Sequence, residues 1–138
     1  MNKPFSMSTL ITYAIATVAF FAIDMVWLGL IAKNFYRTKL SHVLSPDVVW
    51  PAAIVFYLTY IAGIVYFAIN PALKDASWQD ALLKGALLGG LCYATYDLTN
   101  MATIAKWPIE IVIVDIIWGV VLTGSVSLIT FLIANAIK

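Results

Sequence analysis

The sequence predicts an all-α membrane protein, a four-transmembrane-helix bundle built as a duplicated helical hairpin. Three observations predict it. Of 138 residues, 63% are hydrophobic and 11% charged, and the mean hydropathy of +0.96 lies far outside the range of a soluble domain this size. Four stretches are long enough to cross a hydrocarbon layer of ~30 Å, which takes about 20 helical residues. Segments of the first half also recur in the second, in the same order.

The chain reads as one transmembrane domain over residues 1–138, with helices at about 8–32, 50–69, 78–104 and 108–136. The first helix has Lys3 before it and an Ala14-Ile15-Ala16 triplet that resembles a signal cleavage site. Its apolar stretch runs well past that triplet, so it reads as a retained helix. The linker that follows has an amphipathic part at about 34–45: Tyr36, Leu40, Val43 and Leu44 share one face, while Arg37, Lys39, Ser41 and His42 fall between them. Asn70-Pro71 is expected to stop the second helix. Ser77-Trp78-Gln79-Asp80 resembles a capping box opening the third, and Trp107-Pro108 places proline in the first turn of the fourth. Trp50, Trp78 and Trp107 fall at predicted ends, where amphipathic rings favour the interface. Weight on the first helix, with Lys3 before it and Lys33, Arg37 and Lys39 after it, puts the Lys33 loop in the cytoplasm and both termini outside.

The repeat is short but ordered. Asp24 to Lys33 and Asp97 to Lys106 share their spacing and a closing Ile-Ala-Lys, and each is followed by a Trp-Pro pair, Trp50-Pro51 and Trp107-Pro108, that opens the next helix. A duplicated hairpin would relate the two halves by an axis along the membrane normal.

Three aspartates, Asp24, Asp97 and Asp115, sit inside the apolar stretches. At 1.5 Å per residue, Asp24 and Asp97 are each ~13 Å along the helix from Lys33 and Lys106, and Asp115 is ~10 Å from Pro108, all measured from the same membrane side. An ionised carboxylate near the bilayer centre costs about 2.5–3.5 kcal/mol on insertion scales, so acids at one level should be paired, protonated or bound to something. No Lys or Arg lies beside them in the sequence. Helical spacing recruits Asn100 and Tyr93 to Asp97, and Trp27 and Trp118 to Asp24 and Asp115. Trp118 lies too deep for an interfacial anchor, and its indole N–H could donate to a carboxylate. The second helix brings Tyr57, Thr59 and Tyr60 to comparable depth. Ala81, Gly85 and Gly89, four apart, mark close helix packing.

These residues leave three readings. Desolvation and mutual repulsion favour uptake of a proton, a metal cation or a cationic group by the acids. The first reading is therefore binding or transport of a cation, proton or small amphiphile, with Asp97 central, Asp24 and Asp115 coupled to it, and a homo-oligomer supplying any larger path. The second is a membrane-embedded enzyme acting on a lipid or isoprenoid, with an aspartate as general acid. The third is a structural or assembly protein, since intramembrane Asp, Asn, Tyr and Trp also tie helices together at about 0.6–2 kcal/mol per bond.

Other classes fall away. Basic residues are scattered and the net charge is +1, which gives nucleic acid nothing to grip. One cysteine, Cys92, and one histidine, His42, build neither a disulfide framework nor a haem or histidine-rich di-iron site, and no cofactor is called for. Phosphate loops and nucleophile elbows are missing, and Thr123, Ser125 and Ser127 have no histidine base nearby in the sequence.

With its four-helix plan, Asp24-x-x-Trp27 in the first helix, Tyr96-Asp97-Leu98-Thr99-Asn100 in the third and Asp115-x-x-Trp118-Gly119 in the fourth, nearly the whole chain resembles the bacterial family of predicted membrane proteins known as domain of unknown function 2177. The resemblance implies a protein of the bacterial inner membrane among membrane lipids, and brings no established activity with it. Small multidrug transporters offer a looser likeness, as short four-helix proteins with an intramembrane acid, but theirs lies in the first helix alone.

Overall fold

A computed structural model describes residues 7–138, and among these the regular structure is entirely helical. Lys3, which weighs in the orientation reading, lies outside the described residues. Helix α1 (Met7–Val26) continues through a π-helical turn at Trp27–Ile31, closed by Ala32 N–H donating to the Trp27 carbonyl at 2.8 Å. A short helix α2 (Lys33–Lys39) follows at once, so the amphipathic helix is shorter than its sequence pattern, with turns over residues 40–43. Helix α3 (Trp50–Ile64) passes through a second π-helical turn (Val65–Ile69) into α4 (Asn70–Asp75). Two long helices, α5 (Trp78–Thr103) and α6 (Ile109–Ala136), complete the bundle.

Asn70-Pro71 does not stop the second membrane helix, contrary to expectation. Proline at 71 has no N–H to offer and crowds the carbonyl one turn back. The π-helical turn just before it adds a residue to that turn, so the chain passes proline without breaking and ends only at Asp75. There Ala76 adopts a left-handed conformation (φ 51°), and Ser77 N–H reaches back to the Ala72 carbonyl at 3.0 Å, a Schellman-type stop. Ser77 then caps α5, its Oγ accepting from Asp80 N–H at 3.1 Å as the capping sequence predicts.

Three of these helical runs are long and apolar enough to cross a membrane: Met7–Ile31, Trp50–Asp75 and Ile109–Ala136. Helix α5 has the length but not the apolarity, because it carries Asp80, Lys84, Asp97 and Asn100. Large apolar side chains face outward along the runs, among them Val18, Val55, Leu91, Ile117 and Leu132. In water that surface would be a liability; against lipid it is neutral, and packing and hydrogen bonds hold the helices together.

The tightest seam joins α5 to α6. Ala81, Gly85 and Gly89 are buried there, as their spacing predicts. A methyl group on Gly89 would collide with the Gly119 carbonyl, and one on Gly119 would lie 2.5 Å from the Tyr93 ring, so the two backbones approach as only glycine allows. A central core gathers Phe20 of α1, Ile61 and Ile64 of α3, Ile69, and Leu122 and Val126 of α6. Phe20 packs edge-on against Phe21, Tyr57 and Tyr60. A second, smaller core docks α2 on the start of α6: Leu40, Trp107, Ile111 and Val112, with Phe35 and Tyr36 against them. Lys39 adds an ion pair to Glu110 at 3.4 Å, both side chains well exposed.

Candidate functional site

Near the bundle end that carries α2 lies a cavity of about 440 Å³, lined by Asp24, Trp27 and Leu28 of the first helical run, Tyr36 of α2, Phe56 and Tyr57 of α3, Tyr93 and Tyr96 of α5, and Asp115 and Trp118 of α6. Among the described residues the chemistry of this wall is narrow: two acids, seven aromatic side chains and one leucine, with no lysine or arginine. Trp27 and Trp118 stack face to face, centroids 4.5 Å apart and planes 13° apart. Trp27 opens the π-helical turn of the first run.

Each buried acid is held by an aromatic donor. Trp118 Nε1 donates to Asp24 Oδ1 at 3.3 Å, which joins α6 to α1. Trp107 Nε1 donates to Asp97 Oδ1 at 3.3 Å. The Tyr36 hydroxyl accepts from Trp27 Nε1 at 3.2 Å and donates to Asp115 Oδ1, so one phenol bridges α1, α2 and α6. Burial, followed by the hydrogen bond to Asp115, pushes that phenol well above its ordinary range. The hydroxyl therefore stays a donor to the carboxylate.

The three acids do not converge on one point. Asp97 and Asp115 face each other as a pair, while Asp24 stands across the cavity wall under Trp118. Asp97 is wholly buried behind the lining, and its Oδ2 receives no N–H or O–H donor. Among the described residues no three His, Cys, Asp or Glu side chains come together in a way that could hold a metal ion.

A family model described as predicted membrane protein (DUF2177) matches residues 9–132 of the chain. The chain belongs to this family. No curated protein and no solved structure matches it. The span shared with DUF2177 takes in the entire cavity wall, from Asp24 to Trp118.

Of the candidates named from the sequence of this DUF2177 protein, Asp24, Trp27, Tyr93, Asp115 and Trp118 line the cavity. Asp97 lies off this wall, wholly buried. Asn100 is also off the wall, one turn along α5 from Tyr96. Sequence reasoning missed two donors. Trp107, expected as an interfacial anchor, is buried and tied to Asp97. Tyr36 was placed only on the apolar stripe of the linker. The stripe itself was the signal: a phenol on the face that docks needs a polar partner inside the bundle.

Proposed function

We propose that this protein is a four-crossing membrane protein, with α5 as the fourth crossing and the two halves as duplicated hairpins. On this reading it binds and carries a small amphiphile with a cationic head group. The observation that carries it is the cavity wall, which combines Asp24 and Asp115 with stacked and edge-presented aromatic rings and no basic side chain. Carboxylates supply net charge, and ring faces attract a weakly hydrated organic cation by about 0.5–2 kcal/mol each. A bare metal ion would want three or more hard oxygen ligands, which the wall does not gather. The volume, about 440 Å³, lies in the range of small-molecule sites. A proton and a cationic ligand would compete for the same carboxylates. Release by protonation would make transport proton-coupled. The basic residues divide evenly between the two ends, and weight on the first run, with Lys33, Arg37 and Lys39 soon after it, puts the α2 end in the cytoplasm of a bacterial inner membrane.

Isothermal titration of the purified protein with benzyltrimethylammonium tests the reading. The expected result is binding that weakens by about ten-fold or more, equivalent to ~1.4 kcal/mol, in Asp115→Asn and in Asp24→Asn, with helicity unchanged. Acidification should weaken wild-type binding in the same direction. Absence of binding from mildly acidic to mildly alkaline pH would overturn the reading and leave the indole–carboxylate bonds as structural ties.

A further inference from the structure

The donors that hold the buried acids are not anchored alike. Trp118, on Asp24, lies within α6, and Trp107, on Asp97, lies in the short link that joins α5 to α6, so the long helices fix both. Tyr36, on Asp115, belongs to α2, which is seven residues long and too short to stay helical without tertiary support. Ala32 at its start has left helical geometry (φ −105°, ψ 4°), and turns, bends and irregular backbone occupy residues 40–49 between it and α3. Its docking rests on a small core, Leu40 with Trp107, Ile111 and Val112, and on the exposed Lys39–Glu110 pair, which adds little. The opposite face, with Lys33, Asn34, Arg37 and Thr38, is exposed. A unit attached by so few buried contacts opens locally at lower cost than the rest of the bundle.

We propose that α2 is an autoinhibitory arm: Tyr36 holds Asp115, a carboxylate that the cationic head needs, and the head is taken up when α2 withdraws. This is regulation of the site read above and rests on that reading. The geometry supports it. The Tyr36 hydroxyl lies between Trp27 Nε1, 3.2 Å away, and Asp115 Oδ1, so it occupies both the acid's oxygen and the indole edge. Its ring stands edge-on to Trp27, centroids 6.5 Å apart, beside the Trp27–Trp118 stack. A quaternary ammonium has no N–H to share with a phenol, and its attraction is strongest in direct contact with carboxylate and ring faces. Phenol and head group therefore compete for one oxygen and one space. The apparent affinity is the intrinsic affinity reduced by the fraction of molecules with α2 withdrawn, so a change that frees α2 tightens binding. That sign separates an inhibitory Tyr36 from one that merely lines the site, whose loss would weaken binding.

Titration of the full chain with benzyltrimethylammonium, beside hydrogen exchange across α2, tests the proposal. Tyr36→Phe, with helicity unchanged, is expected to bind about five-fold more tightly than wild type. Saturating ligand should speed exchange of the wild-type amides at 35–40, because a ligand that prefers the withdrawn arm shifts the population toward it. A second variant keeps Tyr36 and restrains the arm: Lys39→Cys with Glu110→Cys, in a protein with Cys92→Ala, joined by a short reducible bis-maleimide. The joined protein should bind about ten-fold more weakly than the same protein before joining, and reduction of the link should restore its affinity. If Tyr36→Phe folds but binds no more tightly, or if the joined protein binds as well as the unjoined one, the autoinhibitory role falls and the cavity reading stands. Slower exchange in α2 with ligand bound would overturn the role in the same way. If neither wild type nor Tyr36→Phe binds the probe, both fall.

Discussion

The two halves of the chain share a short sequence pattern and bury their acids differently. In the second, Lys106 takes a left-handed conformation (φ 60°) and passes directly into Trp107-Pro108, so the tryptophan folds back onto Asp97 of its own hairpin. In the first, residues 34–49 separate Lys33 from Trp50-Pro51. This longer linker leaves Trp50 63% exposed, against 8% for Trp107. Asp24 takes its donor from the other half instead, from Trp118, and the inserted α2 sends Tyr36 back to Asp115. The glycines follow the same division. Gly85, Gly89 and Gly119 let α5 and α6 close on each other, whereas a methyl group on Gly29 or Gly63 would meet nothing within 4 Å. One half is zipped shut, and the other stays apart far enough to leave a cavity filled by aromatic rings. The difference teaches that a spacer between two repeated motifs can turn a local tie into a cross-bundle one.

The sharpest break in that comparison lies at the zipped seam. Gly89→Leu forces side-chain atoms against the Gly119 backbone, which has no flexible end to move aside. A loss of about 3 kcal/mol or more is expected, read as a large fall in melting temperature in detergent or failure to accumulate in the membrane. If Gly89→Leu melts with the wild type, the α5–α6 seam does not hold the fold.

The two tryptophans of the repeated Trp-Pro pairs should separate next. Trp107→Phe keeps an aromatic ring and removes the one N–H or O–H donor that a wholly buried carboxyl has among the described residues, an expected cost of ~1–3 kcal/mol. Trp50→Phe, at the matching place in the first hairpin, should change stability by less than ~0.5 kcal/mol. Equal losses would mean that the equivalence of the two positions survives the insertion.

Tyr36→Phe tests the tie that the insertion created. It removes two hydrogen bonds and leaves the ring, so a loss of about 1–2 kcal/mol is expected. The tie also has a pH signature. Because burial and Asp115 raise the folded-state phenol above its ordinary value of 10.0, the folded protein keeps a proton that the unfolded chain has begun to release. The contribution is complete below that value and declines as pH rises beyond it. Denaturation profiles of wild type and Tyr36→Phe should therefore converge in strong alkali, with the other tyrosines cancelling in the difference. A gap between the profiles that is constant with pH would show that Tyr36 is not protected in this way.

How far all this was legible in the sequence depends on the range of the interaction. The acids' similar depth follows from helical rise, the Gly85–Gly89 contact from spacing, and the Ser77 cap from local hydrogen bonding; all are short-range. That Trp118 would reach a carboxylate was also readable, but which one was not, because depth leaves helix rotation open and the donor went to Asp24 on another helix. Trp107 looked like an interfacial ring because its end position is a one-dimensional fact, while its burial depends on α2 folding over it. The passage through Pro71 was hidden for a similar reason. A π-helical turn leaves no residue signature in Val65–Ile69, and only the continuing packing of Ile69, Ala72 and Leu73 makes the longer helix worthwhile.

The smallest predicted effect sharpens the comparison from the open side. Gly63 lies near the end of α3, inside the continuous Trp50–Asp75 run, and a methyl group there meets no neighbour, so Gly63→Ala exchanges a flexible residue for the best helix former without a collision. In an exposed helix that exchange is worth about 0.5–1 kcal/mol in favour of the folded state. A small rise in melting temperature is therefore expected, opposite in sign to Gly89→Leu. The sign is the informative part. Stabilisation at Gly63 would show that this glycine serves neither packing nor hinge, leaving the aromatic wall alone to keep the first hairpin apart. If Gly63→Ala instead lowers stability, or leaves stability intact and abolishes ligand binding, α3 bends at Gly63 when the cavity fills, and the first hairpin is held open by a flexible helix rather than by its rings.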